Sequence, residues 1–221
     1  MKIFLASASF DDVRWAMNCG LVDGVLVSAS HLEADYPGAN ARVHAAELAR
    51  LFPCPVFISS GARDADELYR EARECARTSD QLVFEFPLAI DTVEQLHRAV
   101  GDGAKIAASM IFTTAQAILA AKAGAAAVLV HVNALEAQGL NAAATLRDMR
   151  AIFDAHRIEC EIFAVTPTSA GQVGMCAAAG VDAVVLENSV LRDLLLHPLD
   201  DRTLDALLIG APRVRQRSAT S

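Results

Sequence analysis

Glu85, His131 and Glu187 each stand at the end of a short branched or aliphatic run: Leu82-Val83-Phe84-Glu85-Phe86, Val128-Leu129-Val130-His131-Val132 and Ala183-Val184-Val185-Leu186-Glu187. A carboxyl or imidazole with apolar neighbours suits proton transfer, because partial desolvation moves its pKa toward neutrality. Glu85 is the leading candidate for a general acid or base, with trapped water or a neighbouring serine as the bland alternative. His131 would assist as a proton shuttle, or serve as a hydrogen-bonded structural histidine. A Glu85/Glu187 pair facing across a pocket would suit glycosidic hydrolysis, at about 5–5.5 Å for retention or about 6.5–9.5 Å for inversion. Glu187 equally suits a solvent-facing cap on the helix that follows. Hydroxyls and amides gather at the remaining run ends: Ser28, Ser30, Ser59, Ser109, Asn133, Thr166, Thr168 and Asn188. They would hold the hydroxyls of a sugar-like ligand, or merely fill a narrow cavity.

Positioning these groups requires a repeating scaffold, and the chain has one. Strand-like runs fall at 3–6, 22–27, 55–59, 82–86, 106–112, 126–132, 159–165 and 183–186, separated by Ala-rich amphipathic windows at 10–19, 39–51, 64–76, 91–100, 114–123, 141–155 and 168–178. Two further helical windows, 189–196 and 201–209, follow. Gly20, Gly124 and Gly180 each sit between a helical window and a strand, as a weak internal repeat of helix cap and strand start. Eight strand-helix units with right-handed crossovers predict a single (β/α)8 TIM barrel, of residues 1–211, with a polar tail at 212–221. Chemistry in such a barrel sits at the strand C-termini. Alternation, with Phe84 and Phe86 facing the helices, turns Ala6, Ser28, Ser59, Glu85, Ser109, His131, Thr166 and Glu187 into the mouth.

Composition narrows the function classes. The 221 residues are 53% hydrophobic and 5% aromatic with a net charge of −8, so clustered basic surface for nucleic acid or an anionic membrane is not expected. The N-terminal apolar run is too short for a signal peptide, and charged residues interrupt every candidate membrane span. Five widely spaced cysteines without a CxxC pair argue against a disulfide framework or zinc site and for a cytoplasmic protein. No metal or cofactor motif, phosphate loop or Ser-His-Asp order appears, and Glu33 and Asp35 read as a solvated loop. Only Lys2, Lys105 and Lys122 are lysines.

Several pieces together resemble the small transaldolases and fructose-6-phosphate aldolases: the opening Met1-Lys2-Ile3-Phe4-Leu5, Gly20-Leu21-Val22-Asp23-Gly24-Val25, Ile111-Phe112 with Gln116, Ala120-Ala121-Lys122-Ala123-Gly124-Ala125, Val132-Asn133 with Gln138-Gly139, and His197-Pro198-Leu199. The resemblance implies a (β/α)8 barrel, transfer of a dihydroxyacetone unit through a lysine Schiff base, and a homo-oligomer, commonly a decamer. This chain departs from that pattern at the chemical positions. Ala6 replaces the strand-one Asp, Ser28 the strand-two Asn, and Glu85 in Glu85-Phe86-Pro87 the Schiff-base lysine. Ser109, His131, Ala134, Thr166 and Thr168 stand where the family has a Thr, often a Tyr, an Arg, a Ser and a basic residue.

A Schiff base needs an amine of lowered pKa in a dry pocket. Lys2 and Lys105 begin strands, at the barrel bottom, and Lys122 lies on an outer helix, so aldol chemistry is not expected. Loss of basic residues at 134 and 168 weakens the case for a phosphorylated substrate, although Arg42 and Arg192 fall near the mouth. Two functions remain. One is acid/base chemistry on a sugar or phosphosugar-like substrate: glycosidic hydrolysis, enolisation or dehydration. The other is a catalytically inactive homologue that binds a metabolite or serves in assembly.

Overall fold

The computed structural model describes residues 1–62 and 64–196; the windows and motifs at 197–221 lie outside them. Eight parallel strands close into a barrel in sequence order. They are β1 (Lys2–Ala6), β2 (Gly24–Val27), β3 (Val56–Ile58), β4 (Leu82–Pro87), β5 (Ile106–Ser109), β6 (Ala127–His131), β7 (Glu161–Val165) and β8 (Ala183–Glu187). The helices are α1 (Phe10–Asn18), α2 (Ala29–Asp35), α3 (Ala41–Leu51), α4 (Ala65–Thr78), α5 (Val93–Gly101), α6 (Thr114–Ala123), α7 (Val132–Ala137), α8 (Ala142–His156), α9 (Ala170–Ala178) and α10 (Asn188–Asp193). Among the described residues no helix is long and apolar enough to cross a membrane.

All eight expected strands are present, with three differences of detail. β5 stops at Ser109 because Met110 takes a left-handed φ of 63°, which no strand continues. Glu33 and Asp35 lie on helix α2 and not in a loop, because the Ser28 side chain caps a helix that starts at once after β2. A second short helix, α7, follows β6 in the same way.

The strand register stacks the interior in layers, as the tilt of a closed barrel requires. Phe4, Phe57, Ala107 and Phe163, one from each odd strand, form one layer. Its rings pack edge-on or tilted, with centroids 5.1, 4.9 and 4.9 Å apart, and plug the barrel. Gly24 lies beside the plug because a Cβ there would come within 2.2 Å of the Phe4 ring. The next layer up is Leu26, Glu85, Leu129 and Val185 from the even strands; then come Ala6, Ser59, Ser109 and Val165, and finally Ser28, His131 and Glu187.

Alternation misleads on strand seven. There Phe163 and Val165 point inward, and Ile162 and Ala164 pack against the helices. Phe163 turns inward because Ala107, Ala127 and Ala183 around it are too small to fill the barrel by themselves. Thr166 therefore reaches the mouth by another route. Its φ of 61°, unusual for a β-branched residue, swings it in after the strand has ended, and its Oγ1 donates to the Val165 carbonyl at 2.7 Å.

Below the plug is a second cavity of about 350 Å³, where Lys2 pairs with Glu161 at 2.6 Å and Lys105 donates to the Asp80 carbonyl at 2.6 Å. Lys122 is on α6, in an open apolar groove against α5. Among the described residues, all three lysines are thus separated from the mouth.

Candidate active site

Above the plug the strand C-termini enclose a cavity of about 230 Å³. Ser28, Ser59, Glu85, His131, Thr166 and Glu187 all line it. Glu85 is the deepest, in a layer otherwise made of Leu26, Leu129 and Val185. Burial pushes its carboxyl well up from the ordinary carboxylate value, and a hydrogen bond from Ser109 in the layer above works against that. The balance favours the neutral acid, which has a proton to donate. Ser109, itself buried, thus acts beside Glu85 and not on the cavity wall.

His131 is held down in pKa by burial, so its imidazole is favoured in the neutral form, with a lone pair available. Among the described residues no hydrogen bond joins it to Glu85. They stand on β4 and β6, a quarter-turn apart round the mouth.

Glu187 occupies the N-cap position of α10, yet its side chain does not cap that helix. Both its carboxylate oxygens lie 3.1 Å from His31 Nε2, and His31 Nδ1 lies 2.8 Å from Ser28 Oγ. The hydrogen bond His31 donates to Glu187 raises the His31 pKa, burial opposes it, and the charges of Glu187 and Asp35 add to the rise. Sequence reading missed His31. The signal available was position: Ser28 directly follows the second strand and caps the helix after it, so the residue three positions on lies in that helix's first turn, at the rim.

The structure does not bring Asn133, Thr168 or Asn188 to the cavity. Gln172 intervenes: its Nε2 donates to Asn133 Oδ1 at 3.2 Å and its Oε1 accepts from the Thr168 N–H at 2.7 Å. Asn188 Oδ1 accepts from Arg192 Nε one helical turn along α10. The two arginines expected near the mouth are engaged elsewhere, Arg42 with Glu74 at 3.2 Å and Arg192 over the Trp15 ring at 3.8 Å. Among the described residues no cluster of three histidine, cysteine or acidic side chains forms a metal site.

A closed parallel barrel with a cavity at the strand C-termini lined by Glu85, His131, His31 and Glu187 is a (β/α)8 architecture. The sequence narrows the class. Residues 44–218 match the Transaldolase/Fructose-6-phosphate aldolase family, and the chain belongs to it. A probable transaldolase of Herpetosiphon aurantiacus is 32% identical, covering 97% of this chain and 96% of its own. One of Hyphomonas neptunium is 30% identical over 96% and 98% of the two chains. Among solved structures, the native KDPGal structure superposes with a TM-score of 0.60 at 16% identity, covering 84% of this chain and 82% of its own, a likeness of fold alone.

Proposed function

We propose that the mouth catalyses acid/base proton transfer on a small hydroxycarbonyl compound, a sugar or close relative, without a Schiff base. The observation that carries this reading is Glu85: a carboxyl favoured in its neutral form stands at the bottom of the cavity, at the position where the resemblance places the amine. With a hydroxycarbonyl substrate above the Leu26 layer, Glu85 protonates the carbonyl oxygen while neutral His131 takes the proton from the adjacent carbon. The C–H electrons form the new C=C bond, and the product is an enediol. His131 then returns its proton to the former carbonyl carbon while Glu85 takes the hydroxyl proton from the neighbouring oxygen, which completes an isomerisation and restores both groups. Ser59 and Thr166 offer hydroxyls to the substrate's own.

Enolisation fits better than glycosidic hydrolysis for two reasons. A cavity of about 230 Å³ holds one small molecule and leaves little room for sugar units on both sides of a scissile bond. Glu187, the second carboxylate hydrolysis would need, is already bound by His31. With Arg42 and Arg192 turned away, an unphosphorylated substrate is favoured over a phosphosugar. A homo-oligomer belongs to the same reading, on family resemblance, and light scattering tests it.

The decisive experiment is solvent exchange. Wild-type protein in D2O should introduce deuterium at the carbon next to the carbonyl of dihydroxyacetone or glyceraldehyde, and Glu85→Gln should slow this by about 10²-fold or more. Borohydride should trap no covalent adduct. Exchange at an equal rate in Glu85→Gln, or a trapped lysine adduct, would overturn the proposal. Absence of exchange across a panel of sugars, with the protein folded, favours the inactive metabolite-binding homologue.

A further inference from the structure

Helix capping accounts for one bond at Ser28, whose Oγ accepts from the His31 backbone N–H at 3.1 Å. It does not account for the His31 ring. That ring bridges Ser28 Oγ, 2.8 Å from Nδ1, and a carboxylate from the other end of the chain, 3.1 Å from Nε2. With Glu187 accepting from Nε2–H, the Nδ1 lone pair faces the serine hydroxyl. Hydroxyl, imidazole and carboxylate therefore stand in one hydrogen-bonded line, and all three open onto the mouth cavity. Such a line lets the imidazole remove the hydroxyl proton while the carboxylate holds the ring in the right tautomer.

We propose that Ser28 is a nucleophile for acyl transfer, with His31 as its general base and Glu187 as a positioning residue, acting on short-chain acyl esters of small alcohols or polyols. The step shares the cavity with Glu85 but not its chemistry. Ser28 Oγ bonds to the acyl carbon as its proton passes to His31 Nδ1. The ester C–O bond then breaks, and the departing alkoxide takes that proton. Water, deprotonated by His31, attacks the acyl-serine, releasing the carboxylic acid and restoring the hydroxyl. Ser30 Oγ lies 2.8 Å from Ser28 Oγ, a second hydroxyl beside the nucleophile. The cavity volume of about 230 Å³ sets the limit to short acyl groups.

The relay works only while His31 is neutral. Glu187 and Asp35 are the charges that raise its pKa, so reactivity rises with pH as the ring loses its proton. Replacing Glu187 by Gln moves that onset to lower pH.

The test is covalent labelling of the full chain by methanesulfonyl fluoride across a pH series, with the site located by peptide mass spectrometry. The expected result is one sulfonyl group, on Ser28, absent from Ser28→Ala. Labelling should be about 10²-fold slower in His31→Gln, with circular dichroism confirming the fold of each variant. Glu187→Gln should show the lowered pH onset. An unlabelled wild-type Ser28, wild-type labelling in His31→Gln, or an unshifted onset in Glu187→Gln would each overturn the proposal. None of these readouts depends on whether Glu85 drives proton exchange.

Discussion

Phe163→Ala tests whether the aromatic plug is what keeps Glu85 dry. Phe163 is fully buried, with ring centroids 4.9 Å from both Phe4 and Phe57. Truncation removes a ring from a close-packed layer whose remaining members are fixed by the strand register. The expected cost is about 3–5 kcal/mol, the range for buried aromatic-to-alanine changes. In a chain of this size that lowers the melting temperature by an order of 10 °C. The second consequence is electrostatic. The missing ring connects the lower cavity of about 350 Å³ with the upper one of about 230 Å³, so water reaches Glu85 from beneath. Burial is the largest cause of its raised pKa, and rehydration therefore moves the carboxyl back toward the ordinary range. Urea unfolding measures the first effect, and carboxyl titration by NMR with 13C-labelled glutamate the second. Loss of stability with an unchanged Glu85 titration would refute the reasoning, because the plug would then be packing without being the barrier to water.

Two further predictions follow from the same layers. Glu85 has a folded-state pKa above its ordinary value of 4.5, so its contribution to stability is fully present below that pH and is lost as pH rises through the folded pKa. Glu85→Gln, which stays neutral, lacks this loss; its melting temperature should gain on the wild type as pH is raised, and a gap that stays constant would count against a buried neutral acid. Gly24→Ala would place a methyl 2.2 Å from Phe4 Cε1, and Phe4 cannot turn aside between Phe57 and Phe163. Calorimetry should show a loss of about 1–3 kcal/mol or more, whereas a neutral result would mean that the plug can repack.

The strand-helix period was legible because each buried strand is a short apolar run and each helix an Ala-rich amphipathic one, patterns that survive without tertiary information. Side-chain direction was legible where size and neighbours agreed. On β4, bulky Phe84 and Phe86 face the helices and leave Glu85 inside. On β7 the same rule fails, since whether a phenylalanine belongs inside depends on Ala107, Ala127 and Ala183, which are distant in sequence. Rim residues were least legible. Asn133 and Thr168 are drawn away by Gln172, and His31 is drawn in by Glu187 from 156 positions away, because closing the barrel brings strand ends distant in sequence, such as those of β2 and β8 on either side of β1, within hydrogen-bond reach.

One physical effect connects the family's chemistry with the reading proposed for this chain. The layer of Leu26, Leu129 and Val185 above a ring of phenylalanines penalises whichever charge is placed in it. Applied to a lysine, that penalty removes a proton and leaves the free amine a Schiff base needs. Applied to Glu85, it raises the carboxyl's pKa and so biases it toward the neutral acid. The same dry layer thus yields a nucleophile or a proton donor according to the side chain it holds, with no change in backbone. The surroundings must then change as well. A neutral acid needs a partner that accepts protons, which the unprotonated imidazole of His131 supplies. The rim cations that would anchor a phosphate are not needed by a small neutral substrate, and here Arg42 and Arg192 are committed to Glu74 and Trp15. Placing a lysine in that layer, as Glu85→Lys, should therefore produce a lowered-pKa amine without conferring aldol transfer: borohydride would trap dihydroxyacetone on residue 85, while cleavage of fructose 6-phosphate stayed undetected. Efficient cleavage by that single variant would show that the rim is indifferent to the phosphate and that the side chain at position 85 alone decides the reaction.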